Sequence, residues 1–187
     1  MIIIVLLLIK IRIKGRVILC LILLTKNRVV GIINQINKTT KAGDLMTVFN
    51  SHSTADTESF AEKIGKVVTP GTCIAFFGGL GMGKTAFTRG LAKGMGIDCH
   101  VSSPTFAIVN DYGGSPPLVH FDMYKVDSWD SLYSSGFFDY LDMGAVLSVE
   151  WSENIENALP ENTVRVTIEK GEDENSRIIT VEGLDIE

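Results

Sequence analysis

The stretch that decides the fold is TCIAFFGGLGMGKTAFTRGLAKGM, residues 72–95. Its opening run, Thr72–Phe77, is short, apolar and bounded by turn-forming residues, which is typical of a buried parallel strand. After a glycine-rich loop, Lys84–Met95 carries large apolar residues at helical spacing, among them Phe87 and Leu91. The sequence therefore predicts a strand, a loop and a helix in direct succession.

The loop itself, Gly78–Thr85 (GGLGMGKT), satisfies the phosphate-binding pattern G-x-x-x-x-G-K-[ST] in the setting that the motif requires. Glycines allow successive backbone N–H groups to point inward at phosphate oxygens, where side chains would obstruct them. Lys84, expected to be a solvent-facing charge, is predicted to act catalytically at the β and γ phosphates, and the Thr85 hydroxyl to bind Mg²⁺. The predicted nucleotide-binding residues of this segment are Gly79, Leu80, Gly81, Met82, Gly83, Lys84, Thr85 and Ala86.

Two further predicted strands carry acids at their carboxyl ends. Alternation along Leu118–Tyr124 places Asp122 on the same side as His120, and Glu150 follows the apolar run of Ala145–Trp151. Ligands of open α/β sheets bind at this end of the strands. A phosphate loop needs an acid that holds the metal and a group that places the attacking water. We therefore predict that Asp122 and Glu150 are both metal-binding and catalytic.

The role of His120 stays open at this point, because a structural hydrogen bond and a catalytic role fit its position equally well.

Strands alternate with helices over the rest of the chain. Further strands are predicted at Met46–Ser51 and Pro104–Asn110, and helices at Thr57–Val68 and Asp130–Leu141, the last interrupted at Gly136. Two strand patterns, 164–169 and 178–182, flank the turn-rich GEDENS and predict a C-terminal antiparallel hairpin. The predicted fold is α/β and similar to that of P-loop NTPases, with a mostly parallel sheet flanked by helices.

Composition excludes several classes of protein. The chain has 187 residues, of which 45% are hydrophobic and 21% charged, so it is neither disordered throughout nor a collagen-like repeat. The three cysteines, Cys20, Cys73 and Cys99, form no C-x-x-C pair. A disulfide framework and a zinc site are therefore not expected.

The first 45 residues differ from the remainder in charge. They carry a net charge of +7, against −12 for residues 46–187, which together give the total of −5. Their apolar runs, Ile2–Ile9 and Val17–Leu24, are shorter than the roughly 20 residues of a membrane-spanning helix. A membrane-surface anchor or an organellar presequence stays open. The preferred interpretation is that 1–45 is a basic apolar extension translated from upstream of the true start, and that the working domain begins at Met46.

Four motifs follow the phosphate loop in a specific order: Ser103-Pro104-Thr105-Phe106, His120-Phe121-Asp122-Met123-Tyr124, Glu150-Trp151 and Leu159-Pro160. From about Met46 to the final hairpin, this order and spacing resembles the bacterial TsaE (YjeE) family of tRNA threonylcarbamoyladenosine biosynthesis. The resemblance implies a cytoplasmic ATPase that uses ATP and Mg²⁺ and works with TsaB and the transferase TsaD. It also implies contact with tRNA only through that complex, and no stable membrane association.

The resemblance also assigns roles by position. Asp122 and Glu150 are implied to surround the metal and the water, with their individual roles open to exchange. Thr105 is implied to lie in a switch-like loop at the nucleotide, and Trp151 to pack beside the nucleotide.

Three positions depart from the family pattern. Gly79 stands where the family usually has an acid, and Met82 where a small residue is usual. Both are variable positions of the loop motif, so phosphate binding is expected to survive. Lys125 stands where Arg commonly follows the tyrosine, and Lys cannot reproduce a bidentate Arg contact.

Other functions make different demands on the sequence. A small GTPase needs N-K-x-D after the loop, which this sequence lacks, although Asp111–Gly114 (DYGG) mimics D-x-x-G. A small-molecule kinase usually closes an Arg-rich lid, yet after Arg89 the next arginine is Arg165. The third alternative is a nucleotide-dependent scaffold or switch without significant turnover.

Overall fold

The computed structural model describes residues 4–13, 16–25 and 45–186. The chain divides into two units, Met1–Lys41 and Ala42–Glu187. In the first unit, β1 (Ile4–Ile13) pairs with β2 (Arg16–Thr25) in an antiparallel two-stranded sheet. In the described ranges, no helix has the length and apolar character needed to cross a membrane. The division at Met46 between extension and working domain stays a prediction.

The second unit is built on a seven-stranded sheet. Along the chain its strands are β3 (Met46–Ser51), β4 (Cys73–Phe77), β5 (Val109–Gly114), β6 (Pro117–Asp122), β7 (Val146–Glu150), β8 (Val164–Lys170) and β9 (Arg177–Glu182). Their spatial order is β3-β9-β8-β4-β7-β6-β5. The four inner strands β8, β4, β7 and β6 are parallel, and the outer pairings are antiparallel. The parallel core and the C-terminal antiparallel hairpin confirm the predicted fold class.

Helices connect and cover these strands. They are α1 (Thr54–Gly65), α2 (Lys84–Gly94), α3 (Trp129–Ser134), α4 (Phe137–Asp142) and the 3₁₀ segment Ser152–Ala158. The predicted interruption at Gly136 is confirmed, since this residue has φ 77° and separates α3 from α4.

Two apolar clusters lie on opposite faces of the sheet, because neighbouring residues of one strand contribute to different clusters. On β6, Leu118 belongs to the cluster that contains Phe87 of α2. Val119 and Phe121 belong to the cluster that contains Phe137 of α4. Helices therefore cover both faces of the sheet, as predicted.

The helix after the phosphate loop is held by close backbone contact with α1. A Cβ atom on Gly90 would lie 2.1 Å from the Glu58 carbonyl oxygen, and one on Gly94 would lie 2.1 Å from the Glu62 carbonyl oxygen. No side chain fits at either position. Glycines on α2 thus allow the two helices to pack at a distance that any larger residue would prevent.

The predicted strand Pro104–Asn110 is wrong. The N–H groups of Ala107 and Ile108 both donate to the Pro104 carbonyl, at 2.8 and 2.7 Å, so the chain turns here and β5 begins only at Val109. The apolar run predicts a strand, but Phe106 within it is 96% exposed. Ile108 and Val109 do pack against the apolar cluster that contains Phe121, so only the end of the run faces the core, which the apolar pattern alone did not reveal.

We expect Gly90→Ala to destabilise the protein by about 1–3 kcal/mol, because the added methyl group clashes with the α1 backbone. Helix propensity alone predicts the opposite, a gain of about 1 kcal/mol. Thermal and urea unfolding measure the difference. Lys93→Ala, on the exposed side of the same helix, is the matched control and should stay within about 1 kcal/mol of wild type. A stabilised Gly90→Ala variant would contradict the close packing.

A chain that starts at Met46 is expected to fold cooperatively and to bind nucleotide as well as the full chain. Every buried residue of both apolar clusters lies downstream of Met46. Among the residues that the structure describes, the truncation removes one backbone hydrogen bond of the unit, from the Gly183 N–H to the Leu45 carbonyl at 2.9 Å. Circular dichroism during unfolding and nucleotide titration test this prediction. Loss of cooperative unfolding would show that the first 45 residues supply core contacts.

Candidate functional site

The glycine-rich loop joins β4 to α2, as its motif predicts. Gly78 has φ 141°, and a Cβ atom there would lie 2.5 Å from the Ile168 carbonyl oxygen of β8. Gly83, with φ 106°, stands directly before α2. Both backbone conformations favour glycine over residues with side chains. The glycines therefore have a structural reason that is independent of any ligand.

The N-cap residue of α2 has no side chain that could accept a hydrogen bond from the backbone N–H groups of the first turn. Gly83 makes no side-chain cap hydrogen bond, and the first turn contains no acidic residue. In contrast, α1 is capped by Ser53, whose hydroxyl accepts from the Asp56 N–H at 3.1 Å, and Asp56 adds a negative charge. The positive end of α2 is therefore left without a protein counter-charge in its first turn. This is the arrangement that accommodates an anionic ligand.

Lys84 does not face solvent as expected, because it is only 4% exposed. Its side chain folds back over its own loop, and Nζ donates to the carbonyls of Gly78 and Gly79 at 2.7 and 2.8 Å. Nζ also lies 4.4 Å from the centroid of the Trp151 ring. Burial lowers the pKa of the amine, while the carboxylate of Glu150 opposes that shift. The ammonium is thus held by neutral carbonyl groups that phosphate oxygens can replace.

The two predicted acids are neighbours across a strand pair. Asp122 and Glu150 occupy paired positions at the ends of the parallel strands β6 and β7, and both are buried. The Thr85 hydroxyl donates to Glu150 Oε1 at 2.8 Å. The Thr105 hydroxyl donates to Asp122 Oδ2 at 2.7 Å. The structure therefore brings together four residues that the sequence predicted for the site.

His120 forms a further hydrogen bond to this acidic pair. The buried imidazole lies with Nε2 2.9 Å from Glu150 Oε1, and donates to it in the tautomer that carries the proton on Nε2. On its other side, Nδ1 lies 3.5 Å from the Tyr112 hydroxyl. Strand alternation placed His120 correctly on the side of Asp122, but its hydrogen bond is to Glu150 on the next strand.

The donor set fits a hard divalent cation. Thr85, Asp122 and Glu150 offer a hydroxyl and two carboxylates, all of which are oxygen ligands. Among the residues that the structure describes, no group of three or more His, Cys, Asp or Glu side chains could hold a metal alone. The site therefore fits the usual binding of Mg²⁺ by one or two carboxylates together with phosphate oxygens.

These residues line a cleft with a volume of about 650 Å³, within the range of small-molecule sites. Of the predicted nucleotide-binding residues, Leu80–Ala86, Thr105 and Trp151 line it, whereas Gly79 does not. Sequence analysis missed Thr54, Arg89, Ser103 and Tyr124, which also line it. Ser103 and Tyr124 lie inside the motifs quoted above, so the sequence could have identified them as site residues. No sequence signal pointed to Thr54.

Two residues beside the site have a backbone conformation that side chains disfavour. Trp151 has φ 58° directly after Glu150, and Ile108 has φ 70° at the end of the turn that carries Thr105. For β-branched or bulky residues such values are outliers, and they concentrate at functional sites. Here they direct the Trp151 ring toward Lys84 and end the Thr105 turn at β5.

The comparisons with known proteins agree with this geometry. The TsaE protein of Bacillus subtilis (strain 168), named tRNA threonylcarbamoyladenosine biosynthesis protein, is 36% identical over 130 residues, covering 68% of this chain and 81% of that protein. The TsaE protein of Treponema pallidum (strain Nichols) is 33% identical over 128 residues, covering 68% of this chain and 95% of that protein. The crystal structure of B. subtilis YdiB matches with TM-score 0.63 and 30% identity, covering 75% of this chain and 87% of that one.

A family model described as "Threonylcarbamoyl adenosine biosynthesis protein TsaE" matches residues 51–179, more than half of the chain. That range contains the phosphate loop, the Thr105 turn and both acids. The fold, the site and the family match thus lead to the same conclusion: this protein belongs to the TsaE family of P-loop nucleotide-binding proteins.

Proposed function

We propose that this protein binds and hydrolyses ATP, with Mg²⁺, as the ATPase of the machinery that forms N6-threonylcarbamoyladenosine at position 37 of tRNA. The names of its relatives from B. subtilis and T. pallidum refer to this biosynthesis. TsaB and TsaD are its proposed partners, tRNA is reached only through their complex, and the cytoplasm is the proposed location.

One observation carries the proposal of hydrolysis. Glu150 ends β7 within hydrogen-bond distance of Thr85, and Asp122 ends β6 at the paired position. Two buried acids thus stand at the edge of the sheet where the phosphate loop begins its helix. Nucleotide binding alone would not require both of them.

Binding is assigned to the loop and to α2. Backbone N–H groups of Gly81–Ala86 donate to phosphate oxygens, aided by the positive end of α2. Lys84 exchanges the carbonyls of Gly78 and Gly79 for oxygens of the β and γ phosphates. Trp151, which lines the same cleft, packs beside the nucleotide.

Hydrolysis is assigned to the acidic pair. Thr85 and Asp122 would hold Mg²⁺ or its water shell, and the ion would supply neutralising charge at the terminal phosphates. Glu150 orients the attacking water and accepts its proton, and His120 fixes the carboxylate through its Nε2–H.

A nucleotide-dependent switch is the second candidate, and one contact favours it. Thr105 lies on the turn Pro104–Ile108 and binds the same carboxylate, Asp122, that is proposed to hold the metal. Metal binding at Asp122 would therefore compete with this contact of the turn. Phosphate release measured with and without TsaB and TsaD distinguishes an ATPase from a switch without turnover.

We expect Lys84→Ala to lower kcat/KM for ATP by about 10² to 10³, the cost of removing one charged donor from a developing oxyanion. The fold should persist, because Nζ binds only loop carbonyls and the face of Trp151. Phosphate release in the presence of TsaB and TsaD, with circular dichroism on the same samples, measures both effects.

Lys63→Ala is the matched control for this prediction, because Lys63 is exposed near the end of α1. It should hydrolyse ATP at the wild-type rate. Normal turnover by Lys84→Ala would show that the site assignment is wrong.

The two acids are expected to differ in their effects. Asp122→Asn should weaken nucleotide binding only when Mg²⁺ is present, because the amide keeps the shape but loses the charge that holds the metal. Glu150→Gln should keep nucleotide affinity and lose turnover by about 10² to 10⁴, the range for a positioned acid or base. Titration with a fluorescent ATP analogue, with and without Mg²⁺, is combined with partner-stimulated hydrolysis.

In these titrations, binding without Mg²⁺ is the internal control and should change little in either variant. An equal loss of metal-dependent affinity in both variants would refute the division of roles.

A further inference from the structure

One cation of the C-terminal hairpin reaches the phosphate loop from about 95 residues away. Arg177, the first residue of β9, donates from Nε to the Met82 carbonyl at 3.2 Å and from Nη2 to the Gly81 carbonyl at 3.4 Å. Its Nη1 donates to the carbonyls of Glu174 and Ser176, at 2.8 and 2.7 Å. A single guanidinium thus joins the turn of the hairpin to the phosphate loop.

The loop has a particular need for such donors. When its N–H groups turn inward to bind an anion, its carbonyl groups point away from that anion and need partners of their own. Lys84 binds the carbonyls of Gly78 and Gly79, and Arg177 binds those of Gly81 and Met82. A guanidinium suits this task because its planar group carries five donors in a fixed geometry.

The hairpin also contacts the beginning of the loop. The Ile168 carbonyl of β8 approaches Gly78 so closely that a Cβ atom would lie 2.5 Å away. The loop is therefore held at its first glycine by β8 and near its middle, at Gly81 and Met82, by the side chain of Arg177 on β9. Arg177 does not line the nucleotide cleft, so any effect on the ligand passes through the loop.

We propose that Arg177 is a positioning residue for the phosphate loop. It fixes the backbone of Gly81–Gly83 in the conformation whose N–H groups face the β-phosphate. The inference rests on the proposed function, since it assumes that this loop binds ATP and ADP. Arg177 makes no contact with the nucleotide itself and has no catalytic role.

The hairpin does not need Arg177 to close. At its turn, the Ser176 N–H and hydroxyl both donate to the Asp173 carbonyl, at 3.1 and 2.9 Å. The Gly171 N–H donates to the Ser176 carbonyl at 3.0 Å. We therefore expect a substitution at Arg177 to remove its support of the loop while the hairpin still folds.

The decisive experiment compares Arg177→Met and Arg177→Lys in the full chain, with Arg165→Met as the matched control. Arg165 is a half-buried arginine of β8, in the same hairpin, that pairs with Glu156 at 2.7 Å and lies over the Phe77 ring, 4.1 Å from its centroid. Methionine keeps an apolar contact with that ring, and Arg165 donates to no carbonyl of the loop among the described residues. Affinities for ADP and AMP are measured by competition against a fluorescent ADP analogue. AMP lacks the β-phosphate that the loop binds, so it reports on the rest of the site.

We expect Arg177→Met to weaken ADP binding by about 10- to 100-fold, the range for hydrogen bonds from a charged donor, and AMP binding by less than threefold. Arg177→Lys should recover only part of the loss, because a point charge cannot bind both carbonyls in the same geometry. Arg165→Met should match wild type. An ADP loss of less than fivefold in Arg177→Met, or an equal loss for ADP and AMP, would overturn the proposal.

A second measurement does not depend on nucleotide. Amide hydrogen exchange of residues 79–85 in the free protein should become faster in both Arg177 variants and stay unchanged in Arg165→Met. Unchanged exchange would overturn the inference. Failure of the wild-type protein to bind ADP would refute the proposed function together with the inference, whereas normal binding by wild type and by Arg177→Met would refute the inference alone.

Discussion

The parallel pairing of β4, β7 and β6 is the constraint on which the site depends. Parallel strands end at the same edge, so β4 delivers the phosphate loop to the edge where β7 and β6 deliver Glu150 and Asp122. A shift of one residue between β6 and β7 would turn one acid into the opposite apolar cluster, because successive side chains alternate between faces. The buried Val149 and Phe121, which precede the acids, therefore fix the position of the charges.

Local patterns predicted the fold and the centre of the site, and long-range contacts account for what they missed. The strand, loop and helix around Gly78–Thr85 are consecutive, so their motif identified them. Alternation and strand ends identified Asp122 and Glu150. Lys84 was expected in solvent because the sequence does not show that its side chain folds back onto loop carbonyls. No sequence pattern indicated a role for Arg177, because its contact with the loop depends on how the hairpin packs.

Two cations, Lys84 and Arg177, donate hydrogen bonds to carbonyl groups of the phosphate loop, and their tasks differ. Lys84 is only 4% exposed, and the burial that lowers its pKa also leaves it few partners besides carbonyls or an anion. It is suited to exchange one set of oxygens for another. Arg177 stands outside the cleft, so in its proposed role it donates to the Gly81 and Met82 carbonyls without competing with the ligand.

The contact between Gly90 and Gly94 of α2 and the α1 backbone has a mechanical consequence. Helices joined through long side chains can slide, because rotamers change and absorb the displacement. Helices whose backbones are in contact cannot absorb a displacement by changing rotamers, so a shift of α2 along α1 meets immediate steric resistance. Because the phosphate loop leads directly into α2, the loop is thereby joined to a helix that cannot move along its neighbour without steric conflict.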